Sequence, residues 1–298
     1  MKIFRCDTSP YQDPNFSKQE KQELETLALS YQKKIQNASV LLTNTLTDIE
    51  NLKTDGIELI IHPNSGYDNF PHSFVKKADF PIVIGSEIRA LAVSEYILSC
   101  LLGQVPFQKA WDRTWQGRSL IKDQQVLIIG MGKIGKIVKN SITPLVEKVW
   151  VQDPYKNEED KVPLKEISTV ILCAGLNETS HQMIDTKFLE SLPPLVTIIN
   201  AARGKLINQQ DLITFLKNNP GSTAYLDVFE KEPARFEKLN LPNMFLTSHI
   251  AGVFDGLDNS IINFEKKVIG DFMNDRENFE KKYHDSILKN RIHDNILI

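Results

Sequence analysis

The chain has 298 residues, is 41% hydrophobic and sets 35 basic against 38 acidic side chains, for a formal net charge of −3. That is enough apolar material for a large core divided into two domains, and the charge is too balanced for a nucleic-acid or anionic-membrane binder. No stretch reaches the roughly 18 apolar residues of a membrane span, MKIFRCDTSP has no signal-peptide core, and Cys6, Cys100 and Cys173 are too scattered for a disulfide framework, so a cytoplasmic protein is expected.

In chain order, KIFRC, SVLLT, IELIIHP and PIVIG read as strands of a first α/β unit ending near Ala92, separated by helical stretches such as KQELETLALSYQKKIQ. VSEYILSCLLGQV, Val93 to Val105, is apolar and helix-compatible, and reads as the passage into a second unit. From Ser119 to Gly252 the runs VLIIG, KVWVQD, TVILCAG, VTIINAARG, TAYLDVF and MFLTSHIAG alternate with helical segments such as GKIGKIVKNSITPLVE and QQDLITFLKNNP. Such alternation implies a parallel sheet with helices on both faces, and ligands beyond the carboxyl ends of its strands. After Gly252 the pattern is helical, and a charged tail from Asn274 to Ile298 either folds back on the first domain or frays.

The most specific segment is QVLIIGMGKIG. Val126 to Ile129 run straight into Gly130-Met131-Gly132-Lys133-Ile134-Gly135 and a helix. A dinucleotide pyrophosphate needs a tight strand-to-helix turn, backbone it can approach closely, and free N–H groups at a helix N-terminus. The next strand ends at Asp153, where an acid holds an adenosine ribose. Asp153 read alone is also an ordinary strand-ending turn residue before Pro154; the full set of strand, glycines, helix and acid favours NAD. An acid there repels a 2′-phosphate, and Lys156 is the only base nearby, offset by Glu158, Glu159 and Asp160.

Four chemical residues stand at or just past later strand ends. Arg203 lies in Asn200-Ala201-Ala202-Arg203-Gly204, Asp227 ends YLD with Glu232 one turn on, and His249 follows FLTS. An arginine fork binds a carboxylate through two charge-assisted hydrogen bonds. A histidine beside it exchanges a proton with a hydroxyl or carbonyl near neutral pH, and a glutamate on the other ring nitrogen fixes the tautomer. Around a nicotinamide ring these parts make a hydride-transfer site for a 2-hydroxy or 2-oxo acid. His, Cys and acid spacings suit no metal, and Cys173 reads as a packed thiol, not a nucleophile.

These motifs, with Gly66-Tyr67-Asp68-Asn69, Ala92-Val93-Ser94-Glu95, Trp115-Gln116-Gly117, NAARG, DVFEKEP and SHIAG, resemble the D-isomer-specific 2-hydroxyacid dehydrogenase family. The resemblance implies an α/β protein of two Rossmann-like/flavodoxin-like domains with parallel sheets. The cofactor domain, 93–274, would be inserted in a substrate domain made of 1–92 and the tail 275–298. It makes Arg203 the anchor of the substrate carboxylate and carbonyl, His249 the acid/base and Glu232 its partner. Glu230 lies two positions away, and only the family register separates the two acids. Asp227 would hold the nicotinamide carboxamide. Ser65 and Gly66 would offer backbone N–H groups to the carboxylate. Cys173, Ala174 and Thr179 would line the adenosine and pyrophosphate region, and Lys133, Ile134 and Ala201 complete the cofactor contacts.

The chain departs from the family pattern in two places. Ser248 stands for the proline before the histidine, and Ala174-Gly175-Leu176 for a proline-leucine-threonine run. Members acting on phosphorylated acids carry bases after the second strand of the substrate domain, and LLTNTLTD has none. A small unphosphorylated acid such as glyoxylate, hydroxypyruvate or pyruvate is therefore expected. The apolar VSEYILSCLL helix suits a homodimer. The alternative function is an NAD(H)-sensing regulator of the same fold, against which an intact Arg203, Glu232 and His249 argue.

Overall fold

The computed structural model describes residues 1–9, 12–103, 120–156, 158–234, 239 and 241–298. Trp115-Gln116-Gly117, and Gln104 and Val105 at the end of the apolar segment, lie outside the described residues. The chain forms two compact units, Met1–Arg89 with Val253–Ile298, and Ala90–Gly252.

The first unit opens with β1 (Lys2–Arg5), α1 (Phe16–Glu25), β2 (Ser30–Tyr31), β3 (Val40–Leu42), β4 (Leu59–His62), α2 (His72–Lys77) and β5 (Ile82–Ile84). All pairings are parallel, in the order β2-β1-β3-β4-β5, the flavodoxin-like arrangement. Every residue of β3, β4 and β5 is buried, as expected of a parallel sheet covered on both faces. The helix read through Lys21 to Gln36 is shorter than its pattern. It ends at Glu25, Ala28 turns the chain at φ 57°, and Ser30–Tyr31 pairs with β1 as an edge strand. The turn places Leu29 in the core beside Ile3 and Leu24, which a continued helix would not do.

The second unit contains α3 (Ala90–Leu102), β6 (Gln125–Ile129), α4 (Lys133–Ile142), β7 (Lys148–Asp153), β8 (Glu158–Glu159), β9 (Thr169–Leu172), α5 (Thr186–Glu190), β10 (Thr197–Asn200), α6 (Gln209–Asn218), β11 (Thr223–Leu226) and β12 (Met244–Leu246). The strands run in the order β12-β11-β10-β9-β6-β7-β8, parallel except for β8, a short antiparallel edge that periodicity does not reveal. Alternate residues of the same strands feed two cores. Leu127, Val170 and Ile198 pack on one face, and Ile128, Ile171 and Ile199 on the other. Strand order reverses between β6 and β9, the topological switch point where doubly wound sheets bind dinucleotides.

The chain then returns to the first unit through α7 (Leu257–Asn274) and α8 (Arg276–Lys282). This differs from the sequence-based boundary, which assigned residues 253–274 to the cofactor domain. The reason is the apolar face of α7: Phe264, Val268, Ile269 and Phe272 pack with Ile3, Leu24 and Val40. The tail folds back as well, with Phe279, Tyr283 and Ile287 in the same core and Ile287 bridged to Val83.

A charged cluster ties this return to the first strand. The Arg5 guanidinium donates to the carboxylates of Glu20 on α1 and Glu265 on α7, and the Tyr31 hydroxyl donates to Glu20 at 2.6 Å. Both glutamates are fully buried. Burial pushes the Glu265 carboxyl well above the usual carboxylate range, and the Arg5 charge draws it only part of the way back. Removing the shared cation leaves two buried acids without compensation, a change that costs about 3–5 kcal/mol. Arg5→Met should lower stability to urea by that amount at neutral pH; an unchanged midpoint would mean that the cluster is not a structural tie.

Candidate active site

The turn after β6 is built around close backbone approaches. Gly130 has φ 99°, and a Cβ there would lie 2.5 Å from the Ala174 nitrogen, so the turns after β6 and β9 touch at the switch point. A Cβ on Gly135 would meet the Gly130 carbonyl oxygen at 2.1 Å, so α4 starts hard against the strand end. At Gly132 the same construction meets nothing within 4 Å. The cradle is therefore closed below and open where the helix begins. The first turn of α4, Lys133, Ile134 and Gly135, lies at the positive end of the helix dipole. A pyrophosphate fits that opening.

Asp153, at the end of β7, accepts from the Met131 amide at 2.7 Å and the Tyr155 amide at 3.1 Å. These two bonds fix the carboxylate beside the glycine turn, and an ionised carboxylate retains acceptor capacity for ribose hydroxyls. The Thr179 hydroxyl pairs with the Tyr155 hydroxyl at 2.7 Å, so the turns after β7 and β9 are linked. Burial pushes the Cys173 thiol up to about 12, which leaves it protonated and inert at neutral pH.

The other group of residues gathers beyond β10, β11 and β12. The Asn200 side chain accepts from the Ala202 amide at 3.0 Å and donates to the Arg203 carbonyl at 2.9 Å, shaping the turn that presents Arg203. A Cβ on Gly204 would stand 1.9 Å from the Phe229 carbonyl carbon. Only glycine lets this turn touch the turn after β11, which carries Glu232. Glu232 Oε1 accepts from the Phe229 amide at 3.1 Å, and Oε2 lies 2.8 Å from His249 Nδ1. With Nδ1 on the carboxylate, Nε2 is the ring atom left to exchange a proton with a substrate. Burial would raise the Glu232 carboxyl, but its bond to His249 and the nearby charges of His249 and Arg203 prevail and lower it. Glu230 is committed elsewhere: it accepts from the Gln209 amide at 2.9 Å, at the start of α6. The structure thus pairs His249 with Glu232 and not with Glu230, a distinction that spacing alone does not make.

His249 sits at φ 59°, a left-handed conformation that costs a non-glycine residue about 1–3 kcal/mol and persists only where surroundings impose it. Asp227 imposes it. Its backbone carbonyl accepts from the His249 amide at 2.8 Å. Its fully buried carboxylate accepts from the Ile250 and Ala251 amides, both at 2.8 Å, and from the Thr247 hydroxyl at 2.6 Å. The Tyr96 hydroxyl, on α3, pairs with that same Thr247 hydroxyl. Asp227 is therefore occupied in holding the histidine turn, a role the sequence did not indicate because its partners are 20 to 24 residues away. Contact with a nicotinamide carboxamide would require sharing one of these bonds.

Ser65 and Gly66 lie beyond β4 in the first unit. Among the described residues, nothing accepts from their backbone N–H groups. No group of His, Cys, Asp and Glu among the described residues could hold a metal ion.

Residues 103–251 match the family model described as D-isomer specific 2-hydroxyacid dehydrogenase, NAD binding domain. The chain is 26% identical over 262 residues to the erythronate-4-phosphate dehydrogenase of Blochmanniella floridana, covering 80% of this chain and 65% of that protein. It is 28% identical over 228 residues to the enzyme of the same name from Wigglesworthia glossinidia brevipalpis, covering 72% and 58%. The chain thus spans roughly three fifths of the length of these curated relatives. Among solved structures it is similar to NAD+-bound 3-phosphoglycerate dehydrogenase from Entamoeba histolytica, with TM-score 0.72, 20% identity and coverage of 93% and 96%. It is also similar to D-lactate dehydrogenase from Aquifex aeolicus complexed with NAD and lactic acid, with TM-score 0.71, 18% identity and coverage of 95% and 98%. At these identities the structural likeness speaks for the fold.

The lowered Glu232 carboxyl has a consequence for stability. A group whose folded value is depressed contributes stability above its unfolded value, and that contribution is lost as pH falls through the folded value. The stability difference between wild type and Glu232→Gln should therefore be present at neutral pH and close as pH falls below the ordinary value of 4.5. Parallel denaturation curves read this directly; a difference that stays constant from neutral to acid pH would contradict the pairing.

Proposed function

The chain belongs to the D-isomer-specific 2-hydroxyacid dehydrogenase family and carries its NAD-binding domain, and on that premise we propose that it interconverts a small 2-oxo acid and its D-2-hydroxy acid. The observation that carries the reading is the 2.8 Å contact between His249 Nδ1 and Glu232 Oε2, with the charge of Arg203 acting on the same carboxylate. Bound NADH supplies the hydride. Arg203 holds the carboxylate and carbonyl of the oxo acid, and Ser65 and Gly66 give backbone donors to the carboxylate. His249 delivers a proton from Nε2 to the carbonyl oxygen as the carbon is reduced. The Glu232 carboxylate stabilises the imidazolium before transfer and fixes the ring for it. Gly130, Gly132, Lys133, Ile134 and Gly135 bind the pyrophosphate, Asp153 the ribose, and Cys173, Ala174, Thr179 and Ala201 line the cofactor cleft. Asp227 acts on the nicotinamide side by holding the turn that carries His249.

The absence of a basic side chain in Thr43 to Asp48 supports an unphosphorylated substrate. The name shared by the first relatives supports a second candidate, 4-phosphoerythronate, in the oxidative direction. Exposed Leu91 and Leu102 on α3 support a homodimer formed through the cofactor domain. A cytoplasmic location accords with a described chain in which no helix is long and apolar enough to cross a membrane.

The test is NADH and NADPH oxidation with glyoxylate, hydroxypyruvate and pyruvate, and NAD+ reduction with 4-phosphoerythronate, alongside His249→Ala. One acid should support NADH-specific turnover, and the variant should lose roughly 10² to 10⁴ of it while still binding NADH. Tight NADH binding with no turnover on any acid would favour a regulator that senses NAD(H), and full activity in the variant would remove His249 from the reaction.

A further inference from the structure

The turn after β4 is shaped from beneath by a histidine with no place in the chemistry above. His62 is wholly buried at the end of β4, and both ring nitrogens are engaged. Nε2 lies 2.7 Å from the Gly66 carbonyl oxygen and Nδ1 lies 3.0 Å from the Thr43 hydroxyl. A carbonyl can only accept, so Nε2 carries a proton and donates it to Gly66. Phe70 meets the ring edge-on at 5.1 Å. The rest of the turn is tied as firmly. Arg89 donates to the Pro63 carbonyl at 2.7 Å, the Gly85 amide donates to the His62 carbonyl at 2.8 Å, and Asn69 donates to the carbonyls of Asn44 and Thr47.

Carbonyls around this turn are thus occupied, while the N–H groups of Ser65 and Gly66 find no acceptor among the described residues. Consecutive backbone N–H groups in a fixed turn make an anion-binding concavity. The weak point of such a turn is its glycine, which has the widest backbone freedom of any residue. The bond from His62 falls on that glycine.

We infer that His62 is a positioning residue for substrate recognition: by holding the Gly66 carbonyl it keeps the Ser65 and Gly66 N–H groups set to receive a carboxylate. The inference rests on the assignment of those N–H groups to the substrate carboxylate. It predicts an effect on affinity for the acid, and none on the cofactor, because the NAD-binding residues belong to the other unit.

Two substitutions separate this role from a merely structural one. The amide nitrogen of a glutamine reaches about where Nε2 stands, whereas an asparagine amide reaches only about as far as Nδ1. His62→Gln keeps a donor for Gly66, and His62→Asn loses it. Loss of a buried hydrogen bond of this kind should raise KM for the acid about tenfold in His62→Asn, with NADH affinity and kcat close to wild type and with recovery in His62→Gln. Amide NMR shifts of Ser65 and Gly66 on titration with oxamate, an unreactive 2-oxo acid mimic, supply a readout independent of turnover. The two amides should shift in wild type, with oxamate bound about tenfold more weakly in His62→Asn and normally in His62→Gln. Wild-type KM in His62→Asn, equal damage in both variants, or wild-type amides that ignore oxamate would each overturn the inference. A wild type that turns over none of the acids yet shows these shifts would refute the proposed reaction and leave the role of His62 standing.

Discussion

The buried carboxylate of Asp227 is the interaction on which the reactive end of this molecule depends. It is fully buried, and its oxygens accept from two backbone N–H groups and one hydroxyl of the single turn that follows β12. Buried polar oxygens are costly unless they are hydrogen-bonded, so the turn is drawn onto them and has little freedom to relax. That tension explains how His249 is kept at a positive φ and how its ring meets Glu232. The usual proline before the histidine is replaced here by Ser248, and the Asp227 bonds provide the rigidity that a proline would otherwise lend.

Two kinds of electrostatics divide the carboxyl edge of the larger sheet. At β6, β7 and β9 the work is done by dipoles: a helix N-terminus, a glycine turn with room above Gly132, and one acid fixed by backbone amides. Such a site suits a diphosphate that must bind and leave without changing charge. At β10, β11 and β12 full charges are gathered: an arginine, a glutamate and a histidine that can gain or lose a proton. The near contact of Gly204 with Phe229 brings the two turns of that second group together. A methyl group at position 204 would separate Arg203 from Glu232 before it touched any substrate.

Much of this was legible in the sequence because parallel, fully buried strands are written as unbroken apolar runs. β6, β9 and β10 were apparent for that reason, as were the residues just beyond them. The rest depends on contacts distant in sequence or on very short elements. The edge strands β2 and β8 have two residues each and no pattern to find. The helix read through Lys21 to Gln36 is cut short because Leu29 is needed in the core. Helix α7 packs in the first unit, and its amphipathic face does not say in sequence which sheet it covers. Glu230 and Glu232 are chemically alike and two positions apart, and it takes the contact of Glu232 with His249 and the bond from Gln209 to Glu230 to tell them apart. The tie between His62 and Gly66 was invisible for the opposite reason: a histidine ending an apolar run looks like an interruption of the strand.

We propose that Arg203, Glu232 and His249 form a site at which hydride reaches the second carbon of an oxo acid. The most direct measurement is isotopic. NADH deuterated at nicotinamide C4 is incubated with the enzyme and an oxo acid, and the product is analysed by mass spectrometry and chiral separation. Deuterium is expected on C2 of a D-configured hydroxy acid, with incorporation slowed by roughly 10² to 10⁴ in His249→Ala. An NADH-binding protein that transfers no label to any 2-oxo acid, or that yields the L-isomer, would contradict it.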